Sequence, residues 1–301
     1  MIAVFGIETW CRETFPSRYP SHDVDRLLYD LDTHTYNADT VVLGDSVGRQ
    51  ISKHLARQRK EGFLPLATNG FMEMAGQYYI FLRYLERNRP PASVVLLMHR
   101  PLHGDLSQPA TENYVQRSFT RWHEIAGLTL STGSPGFGLR TLSYRLAAAK
   151  YRLHLQKLVP GLPEPRVTVT PQTAEMREDR LSKKNPLMQL LSRVVRRDPA
   201  SISERYFLSL LDECRRRHIR VYYLPCPVTE RQWIRYEHGP AQTQLVPRMM
   251  ELSRQYSNLV YTTEIRTYPG DWFADGLHIR RSRLAQVAGD YALMMDGMMR
   301  Q

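Results

Sequence analysis

Residues 93–98 place the strongest restriction on the fold of this chain. From Ser93 to Met98 the sequence is apolar after its first residue, and Pro90 and Pro91 precede it. An apolar run of this length, without polar alternation, is typical of a β-strand that is covered on both faces. Such strands belong to parallel sheets with helices above and below them, so this run predicts an α/β protein.

The rest of the chain alternates short strands with helices around this run. The other predicted strands are Thr40–Leu43, Phe63–Ala67, Arg220–Leu224 and Leu259–Tyr261, with helical segments between them. This alternation predicts a three-layer α/β/α fold with a flavodoxin-like parallel sheet, whose ligands bind at the carboxyl ends of the strands. Three polar residues follow predicted strands and are expected near one site: Ser46, Asn69 and His99.

Two segments fall outside this alternation. Residues from about 101 to 200 are rich in proline and glycine, which predicts a mostly helical and loop-like insertion over the strand ends. Residues 1–38 form an N-terminal lead-in, and residues 39–301 form one α/β domain that carries the insertion. The apolar start, Met1–Ile7, is too short to span a bilayer and has no basic residues before it. It is interpreted either as the end of a membrane anchor or as a short element that packs on the domain.

The first motif with chemical potential is Gly44-Asp45-Ser46, which lies between a predicted strand and a predicted helix. The backbone amides at a helix start stabilise negative charge that develops on an attacked carbonyl oxygen, which suits a serine nucleophile. Serine is also a favoured helix N-cap, and Gly-Asp-Ser is a common turn. Taken alone, the motif leaves both interpretations open, and Asp45 is expected to cap the turn rather than to contact a substrate.

The second motif is Asp275-Gly276-Leu277-His278, directly before the last predicted helix. A single turn can present Asp275 and His278 to one site. A serine hydroxyl is a weak nucleophile until a base takes its proton, and histidine oriented by a carboxylate is the usual base. The two motifs therefore predict Ser46 as nucleophile, His278 as base and Asp275 as the residue that orients the imidazole, with Asp271 as a less favoured alternative to Asp275.

An early Gly-Asp-Ser and a late Asp-x-x-His resemble the first and last sequence blocks of the SGNH/GDSL hydrolase superfamily, over most of the chain from about residue 40. The resemblance implies that a glycine of the second block and an asparagine of the third donate hydrogen bonds to the oxyanion. Gly76 is slightly preferred over Gly70 for the second block, because it precedes a predicted helix at Gln77–Leu85 and its amide could point into the site. Asn69, beside Gly70, is a further oxyanion or substrate-binding candidate. The third block departs from the family pattern, because the expected asparagine is absent. Two residues there are candidate donors in its place: His99 and Arg100.

This departure resembles divergent envelope members of the superfamily, the DltD-like and alginate-acetylation-type proteins. The resemblance implies a serine esterase or O-acyltransferase that acts on acylated carbohydrate or cell-envelope polysaccharide through an acyl-serine intermediate. It also implies an extracytoplasmic location, a membrane anchor or a membrane acyltransferase partner in some members, and no metal or organic cofactor. The alternative, which the missing asparagine favours, is a catalytically inactive scaffold that binds polysaccharide or a membrane acyltransferase. A cytoplasmic location stays open.

Charge and cysteine content narrow the other function classes. The chain has 41 Lys and Arg against 30 Asp and Glu, a net charge of +11, but the basic residues are scattered. Nucleic acid is therefore not the expected partner, and an anionic polymer or membrane surface fits better. The three cysteines form no CxxC pair, and no third ligand accompanies His99 and His103, so no metal site is expected. Cys214 and Cys226 are predicted to lie in the core.

Overall fold

The computed structural model describes residues 23–59, 61–99, 101–102, 106, 112–146, 201–237 and 240–300. The chain divides into two compact units. One comprises residues 30–105 and 202–301, and the other comprises residues 1–29 and 106–201. The N-terminal apolar segment, Arg100, His103 and residues 147–200 of the predicted insertion lie outside the described residues.

Strands and helices alternate along the first unit. The strands are β1 Thr40–Gly44, β2 Phe63–Pro65, β3 Ser93–Leu97, β4 Arg220–Leu224, β5 Val228–Thr229, β6 Leu259–Tyr261 and β7 Thr267–Tyr268. The α-helices of the described chain are α1 Asp23–Thr33, α2 Ser46–Arg59, α3 Glu73–Arg87, α4 Trp122–Thr132, α5 Pro135–Ser143, α6 Ile202–Arg216, α7 Glu230–Glu237, α8 Pro240–Gln255 and α9 Leu284–Met299. The 3-10 helices Gly70–Met72 and Gly270–Trp272 and the π-helix Glu112–Gln116 complete the described helical segments.

Five of the strands form one parallel sheet in the order β2-β1-β3-β4-β6. The register sets Gly44 beside Leu97 and Leu97 beside Leu224, so β1, β3 and β4 end at the same level. Every residue of β3 is buried, which confirms the prediction of a strand covered on both faces. The chain is therefore an α/β protein with a parallel sheet. The short parallel pair β5 and β7 was not predicted, because two residues show no periodicity.

Helices cover both faces of the sheet. Val42, Val95 and Leu97 lie in one apolar cluster with residues of α2 and α9, including Met295 and Met298 of α9. Because neighbouring strand residues point to opposite faces, Val41 and Val94 face away from this cluster, and both are fully buried as well. Among the other helices, α3 packs against α6.

Two glycines allow α2 to begin directly against the end of β3. A Cβ at Gly44 would lie 1.9 Å from the Leu97 carbonyl oxygen, and a Cβ at Gly48 would lie 2.2 Å from the same atom. Gly44 also has a φ of +153°, a conformation that residues with a side chain rarely adopt. These close approaches bring the N-terminus of α2 to the carboxyl edge of the sheet.

In the second unit, the described residues include the helix pair α4 and α5. Pro135 begins α5, and the Ser134 hydroxyl accepts the Phe137 amide at 3.2 Å as its N-cap. A Cβ at Gly138 would lie 2.3 Å from Thr129 Oγ1, so the missing side chain lets the two helices approach closely. In the part of the chain that the structure describes, every helix is too short or too polar to cross a bilayer.

Candidate active site

Ser46 is the first residue of α2, and one residue, Asp45, separates it from the end of β1. The Asp45 carboxylate caps this helix, because its Oδ1 accepts the amides of Val47 at 3.0 Å and Gly48 at 3.1 Å. The prediction that Asp45 caps the turn is therefore confirmed. The Arg49 amide donates to the Asp45 carbonyl, and the Ser46 amide has no acceptor among the described residues. That amide is the helix-start donor closest to the Ser46 hydroxyl.

The hydroxyl of Ser46, the imidazole of His278 and the carboxylate of Asp275 form one chain of hydrogen bonds. His278 Nε2 lies 2.9 Å from Ser46 Oγ, and His278 Nδ1 lies 2.7 Å from Asp275 Oδ2. With the Nδ1 proton donated to Asp275, the Nε2 lone pair faces the serine hydroxyl and can accept its proton. The structure thus brings together the three residues that the two sequence motifs named.

A short loop before α9 sets the positions of Asp275 and His278. The Ala274 amide donates to the His278 carbonyl at 2.8 Å, and Phe273 and Ile279 form an antiparallel bridge across the loop. Gly276 turns the chain with a φ of +79°. Phe273 and Ile279 are buried, so the base of the loop is fixed in the apolar cluster while its tip faces solvent.

Asp275 is held as a carboxylate by this loop. Its Oδ1 accepts the amides of His278 at 2.8 Å and Leu277 at 3.0 Å, in addition to the contact between Oδ2 and the His278 ring. These hydrogen bonds, the His278 amide first, hold the pKa of the Asp275 carboxyl far below its ordinary value. Asp275, and not Asp271, therefore contacts His278.

His99, a candidate oxyanion donor from the sequence, contacts Asp45 through its backbone amide and its ring. Its backbone amide and its Nδ1 lie 2.9 and 2.7 Å from Asp45 Oδ2, and its Nε2 lies 3.3 Å from the Pro227 carbonyl oxygen. Both ring nitrogens therefore lie within hydrogen-bond distance of an oxygen atom. Burial opposes the charged form of Asp45, but the charge and hydrogen bonds of His99 outweigh it, and the pKa of Asp45 lies below its ordinary value.

Cys226 is the third member of this buried cluster. Its thiol donates to Asp45 Oδ1 at 3.4 Å, and potential metal-ligand atoms of Asp45, His99 and Cys226 lie within 4.8 Å of one another. Burial, followed by the neighbouring Asp45 carboxylate, raises the pKa of the Cys226 thiol well above its ordinary value. Backbone amides already donate to both oxygens of the Asp45 carboxylate, so the contacts of this cluster fit a hydrogen-bonded support. It ties the ends of β1, β3 and β4 together beneath Ser46.

The two glycines proposed for the oxyanion site have different positions. Gly76 lies inside α3, which begins at Glu73, whereas the sequence analysis placed it before the helix. An amide at that depth points to the carbonyl four residues earlier, so Gly76 does not offer a free donor. Gly70 is exposed and begins the 3-10 helix that follows β2, which leaves its amide in the first turn.

Asn69 lies at the carboxyl end of the sheet beside β1. The Thr68 amide before it donates to the Gly44 carbonyl at 3.0 Å, two residues ahead of Ser46. Asn69 Oδ1 caps the 3-10 helix by accepting the Phe71 amide at 3.0 Å, and its Nδ2 is buried without a partner in the described structure. Asn69 therefore remains a candidate donor, while Arg100 lies outside the described residues.

Two glutamines support the site and were not found from the sequence. Gln77 on α3 accepts the Gly44 amide through Oε1 at 3.0 Å and donates from Nε2 to Thr68 Oγ1 at 3.0 Å, which joins the ends of β1 and β2. Gln50 on α2 exchanges two hydrogen bonds with the backbone of Ile279. Only its position four residues after Ser46 distinguishes Gln50 in the sequence, because residues at that spacing share one helix face.

Comparison with known proteins does not assign this chain to a family. The chain matches no protein-family model, no curated protein and no solved structure.

Proposed function

We propose that this protein is a serine esterase or O-acyltransferase of the SGNH/GDSL type that acts on acylated carbohydrate or cell-envelope polysaccharide. The observation that carries the proposal is the hydrogen-bond chain from Ser46 through His278 to Asp275. The sheet order supports it: when its five strands are counted in chain order they lie 2-1-3-4-5, the flavodoxin-like arrangement, with Ser46 at a carboxyl strand end.

In the proposed reaction Ser46 Oγ attacks the carbonyl carbon of an ester while His278 Nε2 takes its proton. The carbonyl oxygen becomes an oxyanion near the helix-start amide of Ser46. When the intermediate collapses, the bond to the leaving alkoxide breaks, and His278 returns the proton to that oxygen. The products of this half are an acyl-serine and a free hydroxyl group. Asp275 keeps the imidazole in the correct tautomer and stabilises its charged form.

The second half-reaction releases the acyl group. A water molecule or a sugar hydroxyl gives its proton to His278 and attacks the acyl-serine carbonyl, and Ser46 Oγ leaves and takes the proton back. Water yields a carboxylic acid, and a sugar hydroxyl yields a new ester. The choice between hydrolysis and transfer is therefore a choice of acceptor at the same residues.

The exposure of the site supports a large substrate. The side chains of His278 and Asp275 retain 37% and 57% of their exposure, so an ester on a polymer chain can reach the serine without entering a deep cavity. The net charge of +11 favours an anionic polymer over a neutral one.

The proposal is tested by turnover of p-nitrophenyl acetate with wild type, Ser46→Ala and His278→Ala, in the presence of an acidic polysaccharide, of a neutral glucan or of neither. We expect turnover by wild type, loss in both variants, and a larger acceleration by the acidic polymer. Turnover that persists in Ser46→Ala would contradict the proposal.

The second candidate is a non-catalytic scaffold that binds polysaccharide or a membrane acyltransferase. One observation favours it: the third-block position is His99, and Asp45 and Pro227 occupy its ring nitrogens. This candidate predicts polysaccharide binding of equal strength in wild type and Ser46→Ala, together with no turnover in either protein.

A further inference from the structure

We propose that Gln50 is a positioning residue that holds His278 against Ser46. The inference rests on the proposed function, and it adds a residue that the serine, histidine and aspartate motifs do not contain. Gln50 does not contact the reacting atoms, and it acts through the backbone next to the catalytic base.

The evidence is a pair of hydrogen bonds between one side chain and one residue. Gln50 Nε2 donates to the Ile279 carbonyl at 3.2 Å, and the Ile279 amide donates to Gln50 Oε1 at 3.0 Å. Ile279 directly follows His278 in the chain. The side-chain amide of Gln50 therefore pairs with the Ile279 backbone through one donor and one acceptor, as an adjacent β-strand would.

The position of Gln50 on α2 explains why this contact affects the site. Gln50 lies four residues after Ser46, so the two side chains share one face of the helix. Ser46 contacts the His278 ring, and one turn later Gln50 contacts the backbone of the next residue. The nucleophile and the backbone next to the base are therefore both held by α2.

The loop itself supplies hydrogen bonds of a different kind. Those between Ala274 and His278 and between Trp272 and Arg280 connect the loop to itself and fix its internal shape. The buried side chains of Phe273 and Ile279 hold its base in the core. Gln50 adds hydrogen bonds between the buried end of the loop and α2. These hydrogen bonds define the distance between His278 Nε2 and Ser46 Oγ.

A methionine at position 50 has nearly the same length and removes both hydrogen bonds. Because the apolar contacts of Phe273 and Ile279 remain, we expect Gln50→Met to fold. A displacement of about 1 Å between reacting groups can cost up to about 100-fold in rate, so a loss of about 10- to 100-fold is expected. The matched control is Gln58→Met, since Gln58 is an exposed glutamine on the same helix.

The test is the rate of covalent labelling by a fluorophosphonate probe. Gln50→Met should lower the maximal labelling rate by about 10- to 100-fold with little change in the probe concentration for half-maximal rate, whereas Gln58→Met should match wild type. In a His278→Ala background, Gln50→Met should have no further effect, because the residue that it positions is gone. Wild-type labelling of Gln50→Met, or an equal loss in both backgrounds, would overturn the inference and leave the proposed function intact.

Amide hydrogen exchange provides a readout that does not depend on activity. The Ile279 amide should exchange faster in Gln50→Met than in wild type or Gln58→Met, and equal exchange in all three would overturn the inference. If wild type is not labelled at all, the proposed function fails, and this exchange result alone decides whether Gln50 holds the His278 loop.

Discussion

Replacing Asp45 by asparagine tests the buried network beneath Ser46. In wild type, Oδ1 accepts the amides of Val47 and Gly48, and Oδ2 accepts the amide and the Nδ1–H of His99. An asparagine side chain has one oxygen and one NH2 group in the same space. One orientation directs the NH2 group at the amides of Val47 and Gly48 and the Cys226 thiol, and the other directs it at the His99 amide, so part of the network is broken whichever way the amide turns.

The expected cost follows from the burial of the pair. The side chains of Asp45 and His99 are only 10% and 16% exposed, so removal of the carboxylate charge leaves His99 without its partner in a buried position. Breaking a buried charged pair by removing one member costs about 3–5 kcal/mol, a large part of the roughly 5–15 kcal/mol that stabilises a folded domain. The matched control is Asp39→Asn, whose ion pair with Arg89 at 2.6 Å is exposed on both sides and is expected to contribute under about 1 kcal/mol.

Hydrogen exchange of the β1 and β3 amides measures the free energy of opening of the sheet unit. Asp45→Asn should lower that free energy by about 3–5 kcal/mol, and Asp39→Asn by less than about 1 kcal/mol. A loss below about 1 kcal/mol in Asp45→Asn would refute the view that Asp45 and His99 form a buried, charge-assisted support.

Three further predictions follow from single residues. Gly48→Ala should destabilise the sheet unit by about 1–3 kcal/mol in denaturant titration, because its Cβ would lie 2.2 Å from the Leu97 carbonyl oxygen. A Cβ at Gly289 on α9 would meet nothing within 4 Å. Gly289→Ala should therefore stabilise the unit by up to about 1 kcal/mol. The reverse order would contradict the packing. The lowered pKa of Asp275 means that its carboxylate stabilises the loop above about pH 4, where a free aspartate titrates, and that this contribution is lost as the pH falls further. NMR of the Asp275 carboxyl carbon should therefore show no titration above about pH 4. Cys226, buried and with a raised thiol pKa, should resist alkylation in the folded protein and react on denaturation; rapid alkylation of the native protein would contradict this.

Local signals were sufficient to predict much of the fold. The strands Arg220–Leu224 and Leu259–Tyr261 have the predicted bounds, because each is an apolar run between clear breaks. The start of α3 was misplaced, because the prediction followed the aromatic periodicity that begins at Gln77. The helix begins at Glu73 after Met72, which makes no capping hydrogen bond through its side chain, so no cap marked the start.

The candidate site was predictable only in part, because some of its contacts join residues that are distant in the sequence. Ser46, Asp275 and His278 lie in short motifs at the borders of secondary-structure elements, where residue type and position together indicate chemistry. The contacts of Gln50 with Ile279 and of Asp45 with His99 join residues that are far apart in the chain. Their partners depend on the strand register and on the packing of α2, which a single sequence does not reveal.

Mass spectrometry of the protein after reaction with a fluorophosphonate tests the central claim most directly. We predict one adduct per wild-type chain, mapped to Ser46, which is absent in Ser46→Ala and strongly reduced in His278→Ala. Ser52→Ala, a substitution of a buried serine on the same helix, should keep the adduct. No adduct on wild type, or an adduct that survives Ser46→Ala, would contradict the assignment of Ser46 as an activated nucleophile.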